Sequence, residues 1–329
     1  MRHVISIEAS HARGMGHLYR GMNLARALKD AGDSVAAVIN RDARSEEILR
    51  REGLDFETVE SYASAPGWEK PIIGKHRPDT WINDRLDTDL MHSRAVIAEG
   101  ITLFAIDDHG EGAALAKCNF LAMDLRPVKK AQNAFYGPEY MILSPSIKRY
   151  RRERAFNGLP KILVTLGGSD TYGVTPRVVN ALKGVSPGFK LTVIAGPNFR
   201  HMEGLLEAIR DIKDAQILRE VPDMIAVMDG ADLMICGGGV TLFEAAAIGV
   251  PCLAIANEPH EVPTINWFSE NGFGVSLGFH KERFEETLSL KLERLLDNET
   301  ILNGMSRKGK SLVDGDGLER VVGVIRGGQ

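Results

Sequence analysis

Short apolar runs alternate with amphipathic stretches along the whole 329-residue chain, and several of the runs close in a glycine loop. That rhythm confines the fold to strands joined through helical crossovers, and hence to parallel sheets. The first pass predicts strands at His3–Glu8, Ser34–Ile39, Phe56–Val59, Thr80–Asn83 and Ile101–Ile106, with shorter runs around Phe120 and at Met141–Leu143. Helices are expected at His17–Ala31, where Leu18, Met22, Ala25 and Leu28 share a face, at Arg44–Glu52 and at Asp87–Glu99. The charged stretch Lys148–Arg154, followed by Asn157-Gly158-Leu159-Pro160, reads as a linker. The pattern then restarts, with strands expected at Lys161–Leu166, Leu191–Ala195, Gln216–Arg219, Leu233–Cys236 and Cys252–Ala256. The expectation is an α/β protein of two Rossmann-like domains, 1–155 and 160–329, facing a central cleft. The tail from Lys281 is mostly helical and free to cross back onto the first domain.

Composition narrows the function class. Residues 1–158 carry 23 basic and 22 acidic side chains and residues 159–329 carry 17 and 22, so neither half has the basic excess of a nucleic-acid-binding protein. Cys118, Cys236 and Cys252 are odd in number, far apart and set in apolar runs, as expected of reduced core thiols in a cytoplasmic protein. No Cys/His spacing suits zinc, no signal peptide is evident, and no apolar stretch approaches the ~18 residues of a membrane span. No cofactor or metal is expected. Oligomeric state is open, a monomer included.

In open α/β sheets, ligands sit outside the carboxyl ends of the strands. The loop Arg13-Gly14-Met15-Gly16-His17-Leu18-Tyr19-Arg20 lacks the third glycine of a dinucleotide fingerprint, and Asn40-Arg41 stand where the ribose-binding acid would be. What remains is a glycine turn setting His17 at a helix start. The helix dipole disfavours a positive charge there, which suits a general base, although a capping or packing role fits the same position. Gly167-Gly168-Ser169-Asp170 is a weaker loop whose Ser and Asp suit an N-cap as well as a ligand. Gly237-Gly238-Gly239-Val240-Thr241-Leu242-Phe243-Glu244 is the strongest anion site, exposing amides at a helix start to a diphosphate. It lacks the Lys of a P-loop. Glu244, one turn in, can accept from a ribose diol or simply offset the helix dipole. Asn83-Asp84 and Asp107-Asp108-His109 also follow apolar runs and are expected on the His17 side.

Together with Gly137-Pro138-Glu139-Tyr140, Gly249-Val250-Pro251 and Asp314-Gly315-Asp316-Gly317-Leu318-Glu319-Arg320, these motifs resemble, over nearly the whole chain, the UDP-sugar hydrolases of the pseudaminic-acid pathway and their spore-coat polysaccharide relatives. That family shares the GT-B superfamily with the glycosyltransferase that builds lipid II. The resemblance implies UDP in the second domain: diphosphate at Gly238, Gly239, Val240 and Thr241 with help from Gly168 and Ser169, ribose at Glu244, and uracil near Arg219–Val221. It implies the sugar in the first domain, against Gly14, Gly16, Arg20, Asp84, Asp107 and Asp108, with Asn257, His260 and Glu261 contributing from the second. His17 would activate water at the anomeric carbon, expelling UDP with inversion and without a metal. Three departures fall on the sugar side. Asn257-Glu258-Pro259-His260-Glu261 stands where an Asn-Gln pair is usual, Ser144 where an Arg is common, and Asn83-Asp84-Arg85-Leu86 where the family has an aspartate-tyrosine-rich turn.

Three functions follow from this reading. The first is a nucleotide-sugar hydrolase releasing UDP from an amino-deoxy sugar in surface polysaccharide or nonulosonic acid biosynthesis. The second is a glycosyltransferase of the same fold, with His17 deprotonating an acceptor. The third is a non-catalytic nucleotide-sugar-binding protein.

Overall fold

The computed structural model describes residues 1–8, 15–60, 62, 67–196, 198–219 and 221–327. The chain divides into two units, one of residues 1–145 with 315–329 and one of residues 146–314.

The first unit is built on a seven-stranded sheet of β1 (Arg2–Ile7), β2 (Ser34–Asn40), β3 (Phe56–Val59), β4 (Thr80–Asp84), β5 (Thr102–Ile106), β6 (Cys118–Leu121) and β7 (Ala134–Tyr136). Their spatial order is β3-β2-β1-β4-β5-β6-β7, with every pairing parallel. Strands buried on both faces read as continuous apolar runs, which is why Val4, Ile5, Ile7, Trp81, Ile82, Phe104 and Ala105 are all enclosed. Between β1 and β4 the winding reverses, and Ile7 pairs in register with Asp84 there. That reversal opens a crevice at the carboxyl ends of the two strands.

Met141–Leu143, read from sequence as a strand, is buried but unpaired, and the outermost strand is Ala134–Tyr136 instead. The reason lies at the other end of the chain. The helix Gly317–Ile325 packs Leu318, Val321 and Ile325 into the core of this unit, over Ile142 and Phe120. A Cβ on Gly317 would sit 2.2 Å from the Met141 carbonyl oxygen, so only glycine permits this approach. Arg320 donates to the Glu139 carbonyl at 2.9 Å, and Arg326 pairs with Asp33 at 2.8 Å. Two of the sequence motifs, around Pro138 and around Gly317, thus form one joint holding the last helix.

The second unit has a six-stranded sheet of β8 (Lys161–Thr165), β9 (Lys190–Ile194), β10 (Ala215–Leu218), β11 (Leu233–Cys236), β12 (Cys252–Ala256) and β13 (Val275–Phe279). The order β10-β9-β8-β11-β12-β13 is again wholly parallel and reverses between β8 and β11. Its core gathers Ile162, Val164, Leu191, Val193, Leu233, Ile235, Leu253 and Ile255 with Leu288 and Leu292 of the helix Glu285–Leu296.

The expected linker is a clamp. Arg151 donates to the carbonyls of Ala247 (2.7 Å) and Val313 (2.8 Å) and also to that of Lys310, while Arg152 and Arg154 pair with Asp229 at 2.7 and 3.0 Å. Carbonyls in the last turn of a helix have no intrahelical donor, and guanidinium groups supply one. The charged run therefore belongs to the second unit, and the division falls at Pro145–Ser146.

Candidate active site

The helix Gly16–Asp30 starts just beyond β1, with Met15 as its N-cap. It carries His17 and, one turn on, Arg20, so the two side chains lie on one helix face. Both meet Asp84, the last residue of β4. His17 Nδ1 lies 2.6 Å from Asp84 Oδ1, and Arg20 Nε donates to Oδ2 at 3.0 Å while its Nη2 reaches Oδ1. Arg20 Nη1 donates to Asp107 Oδ2, and Asp107 Oδ1 accepts from the Met123 amide at 3.1 Å. Asp107, just past β5, sits at φ +47°, a left-handed conformation that Asp tolerates better than most residues.

The charge state of Asp84 settles the imidazole tautomer. Full burial alone would push its carboxyl up, but the Arg20 guanidinium and His17 bring it down to about 2. An ionised carboxylate only accepts, so the 2.6 Å contact puts the proton on Nδ1, over the longer 3.2 Å approach of the Arg20 Nη2 donor, and Nε2 of the neutral ring keeps its lone pair. Nε2 has no hydrogen-bond partner among the described residues, and the His17 side chain is a quarter exposed. This is the arrangement of a general base oriented by a carboxylate.

Arg20, Asp84 and Asp107 come together, but they are buried and spend their polar atoms on one another. Their place is behind His17. Asp108 turns away altogether, accepting from the Thr88 and Gly110 amides at 3.0 and 2.9 Å and from the Thr88 hydroxyl, which ties two loops together. Asn83 faces the opposite side of the sheet, where its Oδ1 meets Ser6, Trp81 and His92. Strand alternation separates it from Asp84. Gly16 is exposed at the helix start, and Gly14 lies outside the described residues.

In the second unit the glycine loops after β8 and β11 flank the reversal, with Thr165 and Cys236 in register. The helix Val240–Ile248 begins at Gly239 without a side-chain cap, leaving the amides of its first turn without intrahelical partners. Gly238 is forced by packing: a Cβ there would lie 2.7 Å from Glu261 Cβ and 2.8 Å from Ile265 Cγ1. Glu261 and Asn257 thus stand beside the Gly237–Gly239 loop. The Glu261 carboxylate accepts from the Asn257 amide at 2.7 Å, and Asn257 Nδ2 donates to the Leu166 carbonyl at 3.3 Å, so both brace loops. His260 is exposed at the start of the helix Glu261–Glu270.

Glu244 is half-buried and has no hydrogen-bond donor among the described residues. Burial pushes its carboxyl up to about 7. Thr241 and Val240 are half-buried at the same helix end, and Val221 is half-buried in the loop after β10. Gly168 and Ser169 are half-buried as well; Ser169 contacts the Thr171 hydroxyl at 3.1 Å. Asp170 caps its helix through the Val174 and Thr175 amides at 2.9 and 2.8 Å. The structure adds a group that motif reading passed over. Tyr172 stacks on His280 with ring centroids 4.4 Å apart and donates to Glu258 at 2.7 Å, and residues so far apart in sequence carry no shared spacing.

No protein-family model matches the chain. The spore coat polysaccharide biosynthesis protein SpsG of Bacillus subtilis (strain 168) is 26% identical over 333 residues, covering 98% of this chain and 97% of that protein. The crystal structure of Acinetobacter baumannii MurG superposes with a TM-score of 0.76 over 99% of both chains at 18% identity. The chain is similar to SpsG over nearly its whole length and has the GT-B fold. The spinosyn rhamnosyltransferase SpnG, in its complex with thymidine diphosphate, shares that fold at a TM-score of 0.67 and 14% identity over 99% of both chains. No helix among the described residues is long and apolar enough to cross a membrane.

Proposed function

We propose that this protein is a nucleotide-sugar hydrolase, cleaving UDP from a UDP-linked amino-deoxy sugar in the synthesis of a surface polysaccharide or nonulosonic acid. One observation carries the reading: the carboxylate-held imidazole of His17, with Nε2 free to take a proton. Water attacks the anomeric carbon as its proton passes to Nε2, and the bond from that carbon to the β-phosphate oxygen breaks with inversion. The departing diphosphate takes both bonding electrons. The polysaccharide context draws support from the full-length similarity to SpsG, and a nucleoside diphosphate leaving group from the fold shared with SpnG.

The fold shared with a rhamnosyltransferase favours a second reading, in which His17 deprotonates an acceptor hydroxyl instead of water. A panel of UDP-sugars in plain buffer separates the two. UDP release without an acceptor supports hydrolysis, and release only with an acceptor supports transfer. Stabilisation without turnover under either condition leaves a binding protein. His17→Ala is expected to abolish release while UDP binding by calorimetry stays at the wild-type level; a variant that keeps its rate removes His17 as the base.

A further inference from the structure

Arg85 follows Asp84 directly and is 5% exposed. Two comparably enclosed arginines of the chain are each met by carboxylates, Arg20 by Asp84 and Asp107, and Arg154 by Asp229. Arg85 is not. Its Nε and Nη1 are closed off from solvent with no acceptor, and no carboxylate among the described residues lies within ion-pair distance. A guanidinium cannot shed its proton, so a permanent charge is enclosed here without an ion-pair partner among the described residues.

What holds the group is an aromatic shelf. The guanidinium carbon sits 4.4 Å from the centroid of the Tyr62 ring. That ring is fixed by its hydroxyl, which lies 2.8 Å from the Ile7 carbonyl and 2.7 Å from the Val38 carbonyl at the ends of β1 and β2, and Trp68 packs against it at 5.1 Å. A ring face attracts a cation but does not neutralise it. Arg85 follows the last residue of β4, and its seat on Tyr62, which packs with Trp68 against Trp81, keeps it at the carboxyl edge of the sheet, where open α/β sheets receive ligands.

We propose that Arg85 is an anion receptor, taking a carboxylate or phosphate group on a ligand of the first unit, at the carboxyl edge of the sheet that also carries the His17–Asp84 pair. Nη2, which is not closed off like Nε and Nη1, can meet either oxyanion, and rigid seating on Tyr62 keeps it oriented before the ligand arrives. The proposal does not require the ligand to carry UDP.

The test uses the full chain as wild type, Arg85→Met and Arg85→Lys, followed by thermal melting and calorimetry with D-glucuronate, D-glucose 6-phosphate and neutral D-glucose. One or both anions should bind and raise the wild-type Tm, glucose should not, and the Met variant should lose at least about tenfold in anion affinity. The anion that binds better names the group as carboxylate or phosphate. Because a buried charge without a partner costs stability, Arg85→Met should melt no lower than wild type, the signature of a residue kept for binding. Absence of anion binding to wild type, equal binding of glucose, or an undiminished response in the Met variant overturns the proposal. So does a melting point several degrees lower in both variants, which makes Arg85 structural. UDP titrated into the same proteins reports separately on the nucleotide site; its failure to bind counts against the proposed function and leaves the Arg85 result standing.

Discussion

In the proposed reaction Asp84 acts through His17, and its removal should show that. In Asp84→Asn the side chain keeps its shape, but the amide can present a donor to Nδ1, which turns the lone pair away from Nε2. We expect kcat to fall by roughly 10²–10⁴ with KM little changed, by analogy with the loss of an orienting carboxylate elsewhere. The pH–rate profile should also shift, which a purely structural role would not produce. Glu244 makes a second prediction at this scale. Its folded value of about 7 lies above the ordinary 4.5, so the folded state holds the proton more tightly than the unfolded chain. The stability this confers is complete below pH 4.5 and is lost as pH rises through 7. Urea melts at pH 5 and pH 8 should therefore show wild type losing stability relative to Glu244→Gln. If a ribose diol donates to the ionised carboxylate, UDP affinity should rise about tenfold from pH 6 to pH 8 in wild type, beyond any change seen in the Gln variant. Matched slopes in the two proteins would exclude the ribose contact.

Among the elements, the helix Gly317–Ile325 is the most exposed to a single substitution. Gly317 touches backbone, not a side chain that can swing aside, so an added methyl must push the helix off Met141. Overpacking of this kind costs about 1–3 kcal/mol, and loosening Arg320 from the Glu139 carbonyl adds to it. The urea midpoint of Gly317→Ala should fall accordingly; an unchanged midpoint would mean that the joint yields freely. The helix Gly16–Asp30 holds the site together for a different reason. Its Leu18, Met22, Ala25 and Leu28 face the core as their spacing predicts, and that orientation carries His17 and Arg20 to the end of β4. The element was legible because periodicity is local. The meeting with Asp84 and Asp107 was not, since 64 and 87 positions separate them from Arg20.

At the scale of the molecule, the two sheets wind alike, each reversing direction once, and each reversal collects the chemistry of its own unit. In the first it is an imidazole with a carboxylate behind it; in the second, glycine loops and a carboxyl shifted by burial. Charged residues mislead at this scale. The run at Lys148–Arg154 resembles a solvated linker, yet its arginines terminate helices and pair with Asp229. Asp108, adjacent to a residue of the His17 network, serves two loops instead.

Sequence alone determined the parallel α/β class, most strands and the glycine loops that end them, because strand burial and helix periodicity are written in neighbouring residues. It also singled out His17, since a histidine opening a helix after a strand is visible one residue at a time. Tertiary structure decided which acids serve that histidine, which tautomer it holds and where the last helix docks. Those depend on distances between residues remote in the chain, and on whether burial or a nearby guanidinium prevails at a given carboxylate. Burial wins at Glu244; Arg20 wins at Asp84.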